Sequence, residues 1–280
     1  MKKKLEDVIS KEFKGLWGTD FSDDGIPVIK TNNMTYEGRI DFSDICVRNI
    51  PYKEAENNFL KKGDLIIEKS GGTKTHSVGY VNIFEGEDDK YVCNNFILPL
   101  RPNTDIVYPK YLFWQLHGMY EAGRFSDCYN KTTGIQNLQK KTYFSKDINI
   151  PPLPDQQKIA VHLDTIQSAI DNKKQQLSLL DEAVKSKFVE MFGENPVEGG
   201  RWKVEKIASV VNKNILSVKK KFQKTDTIKY VDISAIDNIS NVVTGFTEYV
   251  LLEAPSRAQQ VINQNDILIS TVRPNLRNIA

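Results

Sequence analysis

The sequence predicts a mixed α/β chain made of one globular unit, a long helix and the start of a second, similar unit. Three observations predict it: a proline run at Ile150-Pro151-Pro152-Leu153-Pro154, an apolar seam at helical spacing behind it, and two short motifs that recur at one offset. The boundaries follow as 1–150 for the first unit, 151–196 for the proline entry and spacer helix, and 197–280 for an incomplete second unit.

Within the first unit, Ile26 to Lys30, Asp64 to Glu68, Gly79 to Phe84 and Tyr91 to Leu100 are aliphatic and aromatic runs bounded by turn residues, and read as strands. Pro109 to Glu121 reads as a helix, with proline in the first turn and Tyr111, Leu112, Trp114 and Leu116 on a largely apolar surface. Aromatic residues so placed belong to a core.

Pro151, Pro152 and Pro154 fix φ and disfavour helix in the residues before them, so Ile148 to Leu153 is expected to be extended. Asp155 then caps a helix by accepting a first-turn N–H. Ile159, Leu163, Ile166, Ile170, Leu177, Leu180, Val184, Phe188 and Met191 follow at steps of three and four, one position being skipped at Lys173. That pattern is a coiled-coil seam. Gly193 suits a left-handed end and Pro196 forbids continuation. Asp155 to Phe192 spans 38 residues, about 57 Å of helix. A rod of that length is a spacer.

Displacing the chain by 202 residues lays Val28-Ile29-Lys30-Thr31 on Tyr230-Val231-Asp232-Ile233, and Lys62-Gly63-Asp64-Leu65-Ile66-Ile67 on Gln264-Asn265-Asp266-Ile267-Leu268-Ile269. Either motif alone is a common strand pattern. Their shared register marks an internal repeat.

The run Ile150-Pro151-Pro152-Leu153-Pro154-Asp155-Gln156-Gln157-Lys158-Ile159-Ala160, the heptad helix closing on Phe188-Val189-Glu190-Met191-Phe192-Gly193, and the two repeated strands together resemble the specificity subunit of type I restriction-modification systems. The resemblance implies two target-recognition domains of mixed α/β type, held apart by two long antiparallel helices, each reading half of a split DNA sequence. It implies a non-catalytic subunit whose partners are double-stranded DNA, methyltransferase (modification) subunits and, through the complex, restriction subunits. S-adenosylmethionine, ATP and Mg²⁺ would belong to those partners, with no cofactor held by this chain. The family order is domain, helix, domain, helix. Here the second copy begins near Trp202 and stops at Ala280, which by the offset matches the region around Val78, so a fragment or a naturally truncated product is expected. A seam without its second helix also suggests a homodimer, two copies pairing antiparallel through the spacer.

Composition bounds these readings. A chain of 280 residues with 40% hydrophobic residues has room for two packed domains, and a net charge of +2 requires basic residues to be clustered if they hold phosphates. Cys46, Cys93 and Cys128 form no CxxC pair and leave an odd count, which argues against a zinc ribbon or a disulfide framework. Met1-Lys2-Lys3-Lys4 meets Glu6 and Asp7 rather than an apolar run, so a cytoplasmic protein is expected.

Two polar segments carry candidate DNA contacts. In Lys69-Ser70-Gly71-Gly72-Thr73-Lys74-Thr75-His76-Ser77, glycines allow close backbone approach, hydroxyls suit phosphates, and Lys69, Thr73, Lys74 and His76 can reach phosphates or base edges. The resemblance places this loop where such subunits approach DNA. In Arg124 to Lys141, Gln136 and Asn137 suit adenine, while Lys131, Thr133, Lys140 and Lys141 suit phosphates. Lys30, Asn32 and Asn33 form a third group. Their counterparts include Asp232 and Ser234, a difference expected of domains that read different half-sites. In the second unit Arg273, Asn275 and Arg277 occupy the ground of the Gly-rich loop.

Enzyme motifs fail on inspection. Gly71-Gly72-Thr73-Lys74-Thr75 lacks the earlier glycine of a phosphate-binding loop, and Asn149-Ile150-Pro151-Pro152-Leu153 has Ile150 intruding into a methyltransferase-like element. Asp88-Asp89-Lys90 lies in an acidic turn, and His76, His117 and His162 are too scattered for a metal or a triad. The rival reading is a coiled-coil protein-interaction scaffold that does not read DNA.

Overall fold

The computed structural model describes residues 1–20, 25–73, 75–132, 135–194, 203–212, 215–272 and 279–280, with the side chains of Lys131 and Thr132 left aside. The chain forms two compact units, Met1–Asp181 and Glu182–Ala280.

In chain order the first unit contains β1 (Lys2–Lys4), β2 (Ile9–Glu12), β3 (Ile26–Ile29), β4 (Cys46–Arg48), α1 (Tyr52–Ala55), β5 (Leu65–Glu68), β6 (Ser70–Gly71), β7 (Val81–Ile83), β8 (Val92–Cys93) and β9 (Ile97–Pro102). Then come α2 (Pro109–Glu121), β10 (Tyr129–Thr132), β11 (Ile135–Leu138), α3 (Lys140–Phe144), β12 (Asp147–Asn149) and α4 (Leu153–Phe192), which runs on into the second unit. The main sheet has the order β2-β9-β5-β7, all antiparallel. Its centre, β5, is buried on both faces, which is why Leu65-Ile66-Ile67 reads as a continuous apolar run. Helix α2 lies against this core through Tyr111, Leu112, Phe113 and Leu116, with the bounds expected from its first proline and its apolar face.

The stretch Tyr91 to Leu100 is two strands instead of one. The Asn94 side chain accepts the Phe96 N–H at 3.1 Å and turns the chain, sending β8 to pair with β3 and β9 into the main sheet. Below the sheet, Asp64 is 1% exposed and receives Arg101 Nε at 2.8 Å and a second guanidinium N–H at 2.7 Å. The basic N-terminus is β1, paired antiparallel to β12, so Lys2 to Lys4 clamp the chain just before the proline run.

Helix α4 starts at Leu153, two residues before the expected cap. Pro152 supplies the carbonyl for the Asp155 and Gln156 N–H groups, and Pro154 sits in the first turn, where its missing N–H has no intrahelical acceptor to lose. Asp155 is a first-turn acid instead of the cap. The helix has 40 residues, about 60 Å. Gly193, at φ +88°, closes it by donating to the Val189 carbonyl, as the sequence suggests.

The face of α4 that meets the first unit is largely polar. Gln156 is 0% exposed and binds the Tyr108 N–H and the carbonyls of Ile106 and Pro151. Asp164 accepts Trp114 Nε1 at 2.7 Å and Lys110 Nζ at 3.0 Å, and Asp171 pairs with Arg39. Positions 156, 160, 164, 167 and 171 thus share a face, while the seam lies roughly a quarter turn round the helix. Eight of the nine seam residues are exposed, Leu163 being the half-buried exception.

Two stretches of the second unit resemble their counterparts in the first. Strand β13 (Thr227–Tyr230) is followed by a 3-10 turn at Ile233–Ala235, as β3 is by Thr31–Asn33, at the offset of 202. Then come β14 (Ile236–Asp237), β15 (Val242–Val243) and β16 (Thr247–Val250), the last pairing antiparallel with β13 as β4 does with β3. The second motif also folds alike. Asp64 accepts the Lys61 N–H at 2.7 Å and Asp266 the Asn263 N–H at 2.8 Å, while Gly63 and Asn265 both have positive φ. The strand itself does not form: Ile267 and Ile269 are exposed, where Leu65 and Ile67 are fully buried, and Ile269 makes only an isolated bridge to Ile279. Among the described residues this unit buries two hydrophobic side chains, Val218 and Ile228.

Candidate nucleic-acid interface

The two polar segments, far apart in sequence, form one sheet. β10 and β11 make an antiparallel hairpin, and β6 adds to its edge with Gln136 opposite Gly71 and Asn137 opposite Ser70. Ser70 Oγ donates to Asn137 Oδ1 at 2.7 Å across that pair. Gln136 Oε1 accepts the Val78 N–H at 3.1 Å while its Nε2 donates to the Thr73 carbonyl at 3.3 Å, so its amide spans the neck of the Gly-rich loop. The glycines are needed here: Gly72 has φ +70°, and a Cβ on Gly71, at φ +132°, would lie 2.6 Å from Glu68 Oε1.

The side chains of Thr73, Thr75 and His76 bond one another within the loop. Thr73 Oγ1 accepts the His76 N–H at 2.9 Å, and Thr75 Oγ1 lies 3.0 Å from His76 Nδ1. The His76 ring stacks on Tyr36 at 3.6 Å between centroids, so the loop after β3 does reach this site, through an aromatic residue the sequence reading did not select. Asn33 is corrected as a candidate base reader. It is 3% exposed, accepts the Lys30 N–H and donates to the Asp41 and Asp44 carbonyls, so its amide braces the turn. Lys30 and Asn32 stay on that turn beside a different sheet, Asn32 exposed and Lys30 half-buried. Lys74, Thr133, Arg273, Asn275 and Arg277 lie outside the described residues, as does the Lys131 side chain.

Charge is distributed unevenly around the sheet. Lys69 is half-buried; burial and then repulsion from Lys140 hold its ammonium below the ordinary lysine range. Lys140 pairs with Glu12. Beneath the loop, Glu68 is 7% exposed, and burial raises its pKa while the Gly72 N–H, donating at 3.3 Å, pulls the other way. Tyr36, Tyr80 and Tyr120 all feel this carboxylate and are raised, burial being the larger cause in each. Neither Tyr36 nor Glu68 carries a local sequence signal: one follows a turn, the other ends an aliphatic strand.

No group of three or more metal-ligating side chains occurs among the described residues, and none of their helices is long and apolar enough to cross a membrane. Burial raises the Cys93 thiol, and burial with a hydrogen bond to Asp127 brings Cys128 to about 11, so neither is an activated nucleophile.

A family profile described as Type I restriction modification DNA specificity domain matches residues 1–182. The chain belongs to this family. The match covers the sheet of β6, β10 and β11, the proline entry and most of α4. The chain is 22% identical over 210 residues to a protein of Methanocaldococcus jannaschii named as a type I restriction enzyme MjaX specificity subunit, covering 74% of this chain and 49% of that protein. The chain thus spans about half the length of that curated relative. A chain solved in work on complex assembly and conformational transition of the type I restriction-modification system is 12% identical, with a TM-score of 0.51 covering 72% of this chain and 51% of that one. The specificity subunit from M. genitalium aligns with a TM-score of 0.45 and 15% identity over 69% of this chain and 45% of its own. The first of these two structures supports the fold read for the specificity domain.

Proposed function

We propose that this chain is a non-catalytic DNA-recognition subunit, with its first domain reading one half of a bipartite site through the sheet of β6, β10 and β11 and the loop at Thr73 to His76. The observation that carries the reading is the pairing of β6 with β11, which brings the glycine, hydroxyl and imidazole groups of one segment beside the amides of the other inside a specificity domain. Exposed Asn137 is the group best suited to base edges there, while Lys69 and Lys140 suit phosphates. Gln136 holds the loop and acts by positioning it.

In this reading 1–150 is a target-recognition domain, 151–196 the spacer and 197–280 the opening of a second domain. Methyltransferase and restriction subunits are the partners that supply S-adenosylmethionine, ATP and Mg²⁺ chemistry. Pairing of two copies through the seam of α4 is part of the proposal, and light scattering of the purified chain that shows only monomer rejects it.

Salt dependence separates this reading from the protein scaffold. Affinity for duplex DNA, measured with and without the methyltransferase subunit, is expected to fall steeply between two salt concentrations because lysines displace condensed counterions. Absent or salt-insensitive binding under both conditions favours the scaffold.

A further inference from the structure

A cleft of about 510 Å³ opens beside the recognition sheet, lined by Glu12, Phe13, Lys14, Gly15, Lys69, Asn95 and Lys140. It is assembled from the ends of β2, β5 and β11 and the turn between β8 and β9. Gly15 makes it possible: a Cβ there would lie 2.3 Å from the Asn94 carbonyl oxygen, so only glycine lets the segment carrying Lys14, just after β2, pass the turn that carries Asn95. Three lysines and one glutamate give the lining a formal charge of +2. Glu12 is committed to Lys140, whereas the ammonium groups of Lys14 and Lys69 have neither an ion pair nor a hydrogen bond among the described residues.

Glu12 attracts Lys69 as well as pairing with Lys140, so among the lining residues three ammonium groups share one carboxylate, a surplus of positive charge that suits an anion. Lys69 is tied directly to the recognition sheet, because its carbonyl accepts the Leu138 N–H and it immediately precedes Ser70 of β6. Resting on the DNA-recognition reading above, we propose that this cleft seats a backbone phosphodiester of the bound duplex between Lys14 and Lys69, with Glu12 restraining Lys140 and so weakening the grip. The cleft fixes the position of the DNA without reading its sequence, because a phosphate is the same at every step. Asn137 and the loop at His76 are then held in register against the bases.

The test is fluorescence anisotropy of a labelled duplex with the full chain across a salt series, for wild type, Lys14→Gln, Lys69→Gln and Glu12→Gln. Each lysine variant is expected to lower the slope of log affinity against log salt by about 0.9 and to weaken binding to all duplexes alike, leaving sequence preference intact. Glu12→Gln is expected to strengthen binding several-fold at low salt by freeing Lys140. Thermal melts establish that the variants are folded. Wild-type slopes in both lysine variants overturn the cleft while leaving DNA recognition standing. A wild-type chain that binds no duplex at any salt overturns the recognition reading and the cleft with it.

Discussion

Gln136 donates to the carbonyl of Thr73 at 3.3 Å, joining the hairpin of β10 and β11 to the glycine-rich loop. With its other amide atom taken by the Val78 N–H, this side chain is the strut that holds two separate stretches of sequence in one conformation. Replacing Gln136 with Ala removes both bonds and leaves the buried Val78 with an unpaired N–H. A loss of about 1–3 kcal/mol in urea unfolding is expected, with faster hydrogen exchange at Val78 and weaker DNA binding. Unchanged exchange at Val78 would show that the loop holds its shape without the strut.

Glu68 lies under the same loop, and its pKa is raised mainly by burial. A carboxyl with a higher pKa in the folded state binds more protons there than in the unfolded chain. Stability therefore falls as pH rises from the ordinary glutamate range through the raised value. Glu68→Gln is expected to match wild type in acid and to melt at a higher temperature at neutral pH, since the amide oxygen still accepts the Gly72 N–H. A stability difference that does not vary with pH contradicts this.

Asp64 and Asp266 test how far the internal repeat extends. Their turns match bond for bond, yet Asp64 is buried against Arg101, whereas Asp266 is exposed. Arg101→Ala strands a buried carboxylate and is expected to cost about 3–5 kcal/mol. Asp266→Ala removes a solvated turn contact and is expected to cost well under 1 kcal/mol of local stability. Denaturant titrations followed through probes in each unit distinguish the two.

The unbroken course of α4 from Leu153 to Phe192 predicts a mechanical role. Deleting one heptad within Leu177 to Gly193 shortens it by about 10 Å, or roughly three base pairs of duplex. The spacing between recognised half-sites should shrink while the bases read stay the same. Selection of binding sites by the deletion variant decides it, and an unchanged spacing contradicts the spacer.

Local chemistry was legible and long-range chemistry was not. Pro109 and the apolar face fixed both ends of α2, and Gly193 fixed the end of α4, because each signal lies within a turn of the boundary it sets. The offset of 202 marked the repeated strands, and the matching 3-10 turns at Thr31 and Ile233 came only with the structure. The sheet uniting Ser70-Gly71 with Gln136-Asn137 was hidden because β6 is two residues long and its partner is some 65 residues away. Asn33 looked like a surface amide, but what occupies it is the Asp41 to Asp44 loop, which no local pattern announces. Tyr36 was missed likewise, since its partner His76 is 40 residues away.

The most direct test of DNA recognition is selection from a randomised duplex library by the full chain, with and without a type I methyltransferase subunit, followed by sequencing of what is retained. The account predicts enrichment of a defined half-site, lost when Asn137 is replaced with Ala. Retention of duplexes without any sequence preference while the methyltransferase subunit is present would contradict it.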